Sequence, residues 1–251
     1  MKILGIDIGG SGIKGAIVDT ESGEMLTERF RIPTPKPATP KLMAQTVKEL
    51  VEHFEWDGMV GCSFPTVVID GECRTAGNIS PKWVGVQINE LFKETCGGLD
   101  FYVANDADLA GIAEVKLGAG KDLMGKVLVI TIGTGLGSGL FLDGQLIPNL
   151  ELGRILHTDG KPIEKYAADS ARKREDLKLG EWAERFDYYL HHLTTICSPN
   201  YFILGGGLSK KFDKFEEYLT IKTPVYPAKF RNNAGIIGAA IYAKTLNDLT
   251  K

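Results

Sequence analysis

The stretch Phe-Tyr-Val-Ala-Asn-Asp-Ala-Asp, residues 101–108, joins a β-prone run to a helical pattern rich in small residues. The run covers residues 101–104, and the helical pattern covers residues 107–117. In an open α/β sheet, ligands bind outside the carboxyl ends of the strands, so Asn105 and Asp106 are placed to meet a ligand. A carboxylate there can accept a proton, and the neighbouring amide can orient a hydroxyl group. The alternative is helix capping, because Asn and Asp are both preferred N-cap residues.

Length and composition limit the classes of protein that the chain can represent. Its 251 residues suffice for one large domain or two small domains with proper cores. Its net charge of −3 gives no basis for binding nucleic acid or a membrane surface. We find no signal peptide and no apolar run approaching the ~20 residues that span a bilayer, so we expect a cytoplasmic protein.

Four cysteines are scattered along the chain, at Cys62, Cys73, Cys96 and Cys197. Neither a Cys-x-x-Cys pair nor a histidine cluster accompanies them. We therefore expect reduced thiols and no zinc site.

Glycines in the N-terminal part lie between two β-prone runs. Residues 2–9 are apolar except for Asp7 and the terminal positions, and they lead into a glycine-rich turn at residues 9–12. A second run follows at residues 13–19, and residues 25–32 alternate like a third strand. The pattern predicts consecutive antiparallel strands joined by tight turns.

The same order of elements recurs near residue 130. An apolar run at residues 126–132 leads into the glycine-rich residues 133–139, and a second run at residues 140–142 ends at a hairpin turn. We interpret the recurrence as an internal duplication. Two helical patterns follow, at residues 179–197 and at residues 234–246.

Two glycine loops of this kind suggest that two halves of the chain close on a phosphorylated ligand. Glycine lets backbone N–H groups approach phosphate oxygens closely, and successive amides form an anion nest. Asp7 directly precedes the first loop and can hold a hydrated Mg2+ that bridges phosphates. One such loop alone is adequately explained as a tight turn. Two loops, with Asp7 and Asn105-Asp106, favour phosphoryl transfer.

In combination, these segments resemble the ROK family of sugar kinases. Residues 5–15 and 132–139 are similar to the two phosphate loops of that family, and Asn105-Asp106 to its sugar-binding Asn and catalytic Asp. Glu151-Leu152-Gly153 matches the start of the family's Glu-x-Gly-His sugar motif. Residues 205–207 resemble its nucleotide-side turn, and residues 234–240 resemble its closing helix. The matches follow the family order from residue 3 to about residue 243. The length and residues 144–153 most resemble its polyphosphate glucokinase branch.

The resemblance implies an α/β architecture: the duplicated RNase H-like fold of actin and hexokinase, with two domains around a cleft. We expect residues 1–105 to form a small N-terminal α/β domain and residues 106–233 a large one. Helix 234–247 would pack back on the first domain. The apolar residues of 179–197 are candidates for a homodimer face, with core burial as the alternative.

The resemblance also implies transfer of a terminal phosphoryl group from polyphosphate and/or ATP to the 6-hydroxyl of glucose or a similar hexose. Asp106 would be the general base, and Mg2+, Lys14 and the loop amides would stabilise charge. Sugar contacts would come from Asn78, Asn105, Glu151 and Glu164. Donor contacts would come from Asp7 (also Mg2+, through water), Gly9, Gly10, Ser11, Gly12, Lys14, Thr131, Gly133, Thr134, Gly135, Gly206 and Gly207.

The chain departs from the family pattern at Arg154, which stands where the family has His. Arg is donor-only and permanently charged, so a sugar contact is lost or altered. His157 is a candidate substitute, and a structural or surface role is the alternative. Two other functions therefore stay open: a sugar-binding protein like the ROK repressors, which carry an N-terminal DNA-binding domain before the first strand, or a degenerate kinase without turnover.

The charged residues of this chain do not decide whether the phosphoryl donor is ATP or polyphosphate. Residues 172–174 are Arg-Lys-Arg, and Lys161, Lys165 and Lys178 lie near them in sequence. These residues could line a track for a polyanion. Acidic residues are interspersed, and a charge-mixed run is usually a solvated face.

Overall fold

The computed structural model describes residues 1–77 and 79–249, and its contacts divide them into two compact units. Unit 1 comprises residues 1–113 together with the C-terminal segment from Asn233, and unit 2 comprises Glu114–Asn232. The division falls within the helix that follows Asn105, beyond the boundary expected at residue 105. The first turns of that helix pack closely on the C-terminal segment of unit 1, since a side chain at Gly238 would overlap the carbonyl oxygen of Leu109.

Within the described residues, twelve strands form the sheets. They are β1 (Lys2–Ile8), β2 (Ile13–Asp19), β3 (Phe30–Ile32), β4 (Val60–Phe64), β5 (Val68–Ile69), β6 (Glu72–Cys73), β7 (Phe101–Asn105), β8 (Lys126–Ile132), β9 (Leu136–Leu142), β10 (Gln145–Ile147), β11 (Tyr201–Gly206) and β12 (Val225–Pro227).

Seven α-helices accompany these strands in the part of the chain that the structure describes. They are α1 (Pro40–His53), α2 (Ile88–Thr95), α3 (Asp106–Leu117), α4 (Glu164–Ala167), α5 (Asp169–Arg174), α6 (Leu179–Cys197) and α7 (Ala234–Leu249). Short 3-10 turns lie at Pro81–Trp83, Leu152–Arg154, Leu208–Lys214, Glu216–Tyr218 and Arg231–Asn233.

The two large sheets have the same plan. In unit 1 the strand order is β3-β2-β1-β4-β7, and in unit 2 it is β10-β9-β8-β11-β12. Each sheet begins with a three-stranded antiparallel meander and continues with two parallel strands. This agreement supports the duplication inferred from the glycine pattern, and it is the plan of the actin and hexokinase fold.

Two strands differ in extent from the sequence pattern. In unit 1 the strand expected at residues 25–32 is limited to Phe30–Ile32, and Met25 forms only an isolated bridge with Val18. In unit 2 the second strand begins at Leu136, so Gly137 and Gly139 are ladder residues rather than loop residues. The second glycine turn is therefore limited to residues 133–135.

Helix α7 returns to unit 1 and packs on β1, β4 and β7. The approach is close because the strands present glycine where the helix crosses them. A side chain at Gly5 would overlap the carbonyl oxygen of Ile236, and one at Gly61 would overlap that of Ala239. Helix and sheet pack backbone against backbone here, which explains why both segments are rich in small residues.

Helix α6 provides much of the core of unit 2. Trp182, Phe186, Leu190 and Leu193 are fully buried and pack against the sheet. Outward-facing apolar residues remain on the same helix, with Ile196 57% exposed. Core burial thus accounts for most of the apolar pattern of residues 179–197. Across the described ranges, no helix is long and apolar enough to cross a membrane.

Helix α3 begins with a side-chain cap. The Asn105 Oδ1 atom accepts hydrogen bonds from the backbone N–H groups of Ala107, at 2.9 Å, and Asp108, at 3.1 Å. The amide nitrogen donates to the carbonyl oxygen of Thr66 at 3.0 Å. Asn105 is buried, so these bonds satisfy polar groups that water does not reach. The capping interpretation is therefore correct for Asn105.

We predict that Gly61→Ala lowers the stability of unit 1 by about 1–3 kcal/mol, because the added methyl group overlaps the backbone of α7. Thermal unfolding monitored by circular dichroism measures the loss. Gly207→Ala is the control, since a methyl group there meets nothing within 4 Å. Equal melting temperatures for the Gly61→Ala and Gly207→Ala variants would contradict the close packing of α7.

We predict that Asn105→Ala destabilises the protein by about 1–2 kcal/mol, because helix α3 loses its cap and the Thr66 carbonyl group loses its donor. Asn105→Ser retains a capping oxygen and should recover part of the loss. Denaturant unfolding of the three proteins tests this. An Asn105→Ala variant as stable as wild type would refute the cap.

Candidate functional site

The parallel strands of unit 1 bring Asp7, Ser63 and Asn105 to one edge of the sheet. Asp7 in β1 is in register with Ser63 in β4, and Phe64 in β4 is in register with Asn105 in β7. Adjacent strands lie about 4.8 Å apart, so the backbones of Asp7 and Ala104 are ~10 Å apart across β4. The carboxyl ends of these strands are where α/β folds bind ligands.

Both carboxylate oxygens of Asp7 are engaged. Lys14 Nζ contacts Oδ2 at 3.0 Å, and the buried Ser63 hydroxyl donates to Oδ1 at 2.6 Å. The first turn of α7 lies against the same group, since a methyl group at Gly235 would be 2.9 Å from Cγ of Asp7. The N-terminus of a helix attracts negative charge, and these contacts together hold the Asp7 side chain in one orientation.

Three carbonyl oxygens of the first glycine turn, those of Gly9, Ser11 and Gly12, accept hydrogen bonds within the protein. Gly9 N–H donates to the Gly12 carbonyl at 3.0 Å, Thr34 Oγ1 donates to the Gly9 carbonyl, and Arg31 Nη2 donates to the Ser11 carbonyl, the last two at 2.5 Å. Gly10 and Ser11 are exposed. Since the carbonyl groups have partners, the turn can present N–H groups to an anion. The sequence pattern found these glycines but not Thr34 or Arg31.

Asp106 stands at the first position of α3, immediately after the capping Asn105. Its Oδ1 atom accepts the N–H group of Ala107 at 2.8 Å, and the side chain is half-buried. Both predicted residues are thus at the carboxyl end of β7, and Asn105 is also a structural residue. An amide has four hydrogen-bonding positions, and in Asn105 both acceptor positions of the oxygen and one N–H are already used, so one N–H remains for a ligand.

In unit 2, pairing of β8 with β11 brings the second glycine turn beside the predicted nucleotide-side turn. Thr131 is in register with Gly205, and Ile132 with Gly206, so residues 133–135 and 206–207 follow neighbouring strand ends. Gly133 N–H donates to the Gly135 carbonyl at 3.0 Å. Ser170 Oγ donates to the Thr134 carbonyl at 2.6 Å, which fixes the turn to α5.

The Glu164 side chain contacts the second glycine turn. Its Oε2 atom accepts the N–H group of Leu136 at 3.4 Å, and a side chain at Gly135 would overlap the same oxygen. The resemblance to the ROK family assigned Glu164 to the sugar. The structure gives Glu164 a contact with the second glycine turn, which the family resemblance did not indicate.

Glu151 and Arg154 form an ion pair. Arg154 Nε donates to Glu151 Oε2 at 3.0 Å, with both side chains partly open to solvent. The intervening Gly153 packs so closely on the backbone of Leu136 that no side chain fits there. Arginine in place of the family histidine therefore occupies one oxygen of the predicted sugar-binding carboxylate.

His157 belongs to an aromatic cluster. Its ring stacks on Tyr166, with centroids 4.4 Å apart, and its Nδ1 atom lies 3.3 Å from Asp159 Oδ1. These contacts give the ring a structural role.

Asn78, the remaining predicted sugar contact, lies outside the described residues. Within residues 1–77 and 79–249, no group of three or more His, Cys, Asp or Glu side chains is arranged to hold a metal ion. All four cysteines are free thiols, and burial raises the pKa of Cys62 well above its ordinary value.

Comparison with known proteins gives the same family as the sequence motifs. The family model described as ROK family matches residues 3–159. Polyphosphate glucokinase of Mycobacterium tuberculosis is 43% identical over 238 residues, which cover 95% of this chain and 89% of that protein.

Solved structures of related proteins give the same family and fold. The inorganic polyphosphate/ATP-glucomannokinase of Arthrobacter sp. strain KM is 42% identical, with a TM-score of 0.93, over 98% of this chain and 99% of that one. The ROK family glucokinase of Streptomyces griseus, solved with glucose and AMPPNP, is 23% identical with a TM-score of 0.82 over 98% of this chain and 100% of that one, and it shows the fold alone. The chain belongs to the ROK family.

Proposed function

We propose that the chain transfers the terminal phosphoryl group of inorganic polyphosphate or ATP to the 6-hydroxyl group of glucose. The observation that carries the proposal is that a glycine turn follows each of the equivalent strands β1 and β8, and that Asp106 follows β7 at the same edge of the sheet as the first turn. The relatives named above as polyphosphate glucokinase and polyphosphate/ATP-glucomannokinase support both the reaction and the choice of donors.

Asp106 would act as the general base. As the sugar oxygen forms its bond to phosphorus, the bond from phosphorus to the remaining donor phosphate breaks, and the hydroxyl proton passes to the Asp106 carboxylate. The start of α3 suits this role, because the Asn105 cap fixes the turn that carries Asp106. Asn105 would orient a sugar hydroxyl through its remaining N–H, with Glu151, Glu164 and Asn78 as further contacts.

The glycine turns would hold the donor phosphates through backbone N–H groups. We assign this role to Gly9, Gly10, Ser11, Gly12 and Lys14 in unit 1, and to Thr131, Gly133, Thr134, Gly135, Gly206 and Gly207 in unit 2. A single fixed carboxylate, Asp7, fits a Mg2+ ion that keeps most of its waters and binds mainly to substrate phosphates. When bound, Mg2+ would neutralise charge on the donor.

We also propose that the protein works in the cytoplasm as a homodimer, with no nucleic acid or membrane partner and no zinc. The exposed apolar residues of α6, including Ile196, are the candidates for the dimer contact.

A second candidate function is sugar binding without turnover, as in a ROK-type sugar-binding protein or a degenerate kinase. The Glu151–Arg154 ion pair favours it, because it removes one acceptor oxygen from the predicted sugar contact. The remaining oxygen of Glu151 keeps the kinase function compatible with this pair.

We predict that Asp106→Asn lowers kcat by about 10²- to 10⁴-fold with either donor, because the amide cannot accept the hydroxyl proton. The KM for glucose should change little, since Asn keeps the shape of the side chain. A coupled assay of glucose 6-phosphate formation measures both constants. Asp122→Asn, a change in an exposed turn, is the control. Near-normal turnover by Asp106→Asn would exclude Asp106 as the base, and no wild-type turnover with either donor would favour sugar binding alone.

We predict that Ser63→Ala raises the Mg2+ concentration for half-maximal activity about two- to tenfold, because Asp7 loses a hydrogen bond that fixes one of its oxygens. Steady-state rates at graded Mg2+ and saturating donor measure the shift. Ser63→Cys keeps the size of the side chain and a weak donor, so its Mg2+ concentration for half-maximal activity should lie between those of wild type and Ser63→Ala. An unchanged Mg2+ requirement in a folded Ser63→Ala protein would show that Ser63 does not position Asp7.

A further inference from the structure

Unit 2 contains a cationic pocket beyond the second glycine turn. The cavity has a volume of about 420 Å³, and four cations line it: Lys161, Lys165, Arg174 and Arg185. They come from the segment before α4 and from α4, α5 and α6. Two carboxylates, Asp159 and Glu175, accompany them, which leaves an excess of two positive charges.

One carboxylate holds the two guanidinium groups side by side. Arg174 Nη2 donates to Glu175 Oε1 and Arg185 Nη1 donates to Glu175 Oε2, both at 2.6 Å. These two hydrogen bonds hold the pKa of Glu175 below its ordinary value, and the bond from Arg185 has the larger effect. Arg174 Nη2 also donates to the Lys165 carbonyl at 2.7 Å. Both of these hydrogen bonds of Arg174 use Nη2, so they do not involve the three N–H donors on Nη1 and Nε.

The two lysines are only loosely paired. Lys161 Nζ is 3.8 Å from Asp159 Oδ2, and Lys165 Nζ is 3.7 Å from Glu164 Oε1. Their side chains are 72% and 56% exposed. Exposed pairs at such separations contribute little to stability, so both ammonium groups can turn toward an anion at small cost.

The pocket is joined to the glycine turn through α5. Ser170 holds the Thr134 carbonyl, and Arg174 follows four residues later, ~6 Å further along the helix axis. Arg172 and Lys173 of the same helix bond to Asp169 instead. The structure thus selects Lys161, Lys165 and Arg174 from the basic residues of the sequence and adds Arg185.

We propose that this pocket binds the distal phosphates of a linear inorganic polyphosphate whose terminal phosphate lies at the glycine turn. The proposal rests on the proposed function for the position of the terminal phosphate. A polyphosphate carries negative charge on every unit, so it is the donor that gains from cations beyond the transfer site. The pocket therefore favours long chains over short ones.

The test compares Lys161→Ala/Lys165→Ala with Lys173→Ala/Lys178→Ala, a control pair of equal charge on the neighbouring surface. The Kd of long-chain polyphosphate, measured by isothermal titration without glucose, should rise about five- to tenfold in the pocket variant only. The ratio of the KM for tripolyphosphate to the KM for long-chain polyphosphate should fall by a similar factor. Melting temperatures confirm that both variants are folded.

An unchanged Kd in the pocket variant, or an equal loss of affinity in the control pair, would overturn the proposal. The binding measurement does not depend on turnover. A pocket-specific loss of affinity in a protein that phosphorylates no sugar would sustain the pocket and refute the kinase function. Turnover with polyphosphate and an unchanged Kd in the pocket variant would sustain the kinase function and refute the pocket.

Discussion

The close packing of α7 on β1 and β4 is the constraint on which the rest of unit 1 depends. It requires glycine at Gly5 and Gly61, where any side chain would overlap the helix backbone. It also brings the N-terminus of α7 against Asp7, with Gly235 at the point of contact. A chain segment more than 200 residues downstream of β1 in the sequence thus sets the electrostatic surroundings of Asp7 beside the first glycine turn.

Both units place the residues of the candidate site by the same means. Parallel strands end at one edge of each sheet, and short turns of glycine and hydroxyl residues follow the strand ends. Side chains then hold the carbonyl groups of the turns: Thr34 and Arg31 in unit 1, and Ser170 in unit 2. Carbonyl groups occupied in this way leave N–H groups for anions, which is the chemistry that phosphoryl transfer needs.

The sequence pattern was sufficient for the duplication and for the positions of both glycine turns, because these depend on local periodicity and turn chemistry. The fold class came from the resemblance to the ROK family. The sequence pattern overestimated the second turn, since Gly137 and Gly139 continue the ladder of β9 with their backbone alone. It could not separate capping from ligand binding at Asn105, because the same side chain suits both. It missed Ser63 and Arg185, whose positions depend on strand register and on helix packing rather than on any motif.

The central claim is that this ROK family chain moves a phosphoryl group onto the 6-hydroxyl of a hexose. Phosphorus-31 NMR of the wild-type protein with glucose, Mg2+ and either polyphosphate or ATP tests it most directly, because the spectrum identifies the product and its position of attachment. We expect the resonance of glucose 6-phosphate to grow as the donor signal is consumed. Consumption of donor without a sugar phosphate, or a phosphate at another hydroxyl, would contradict the account.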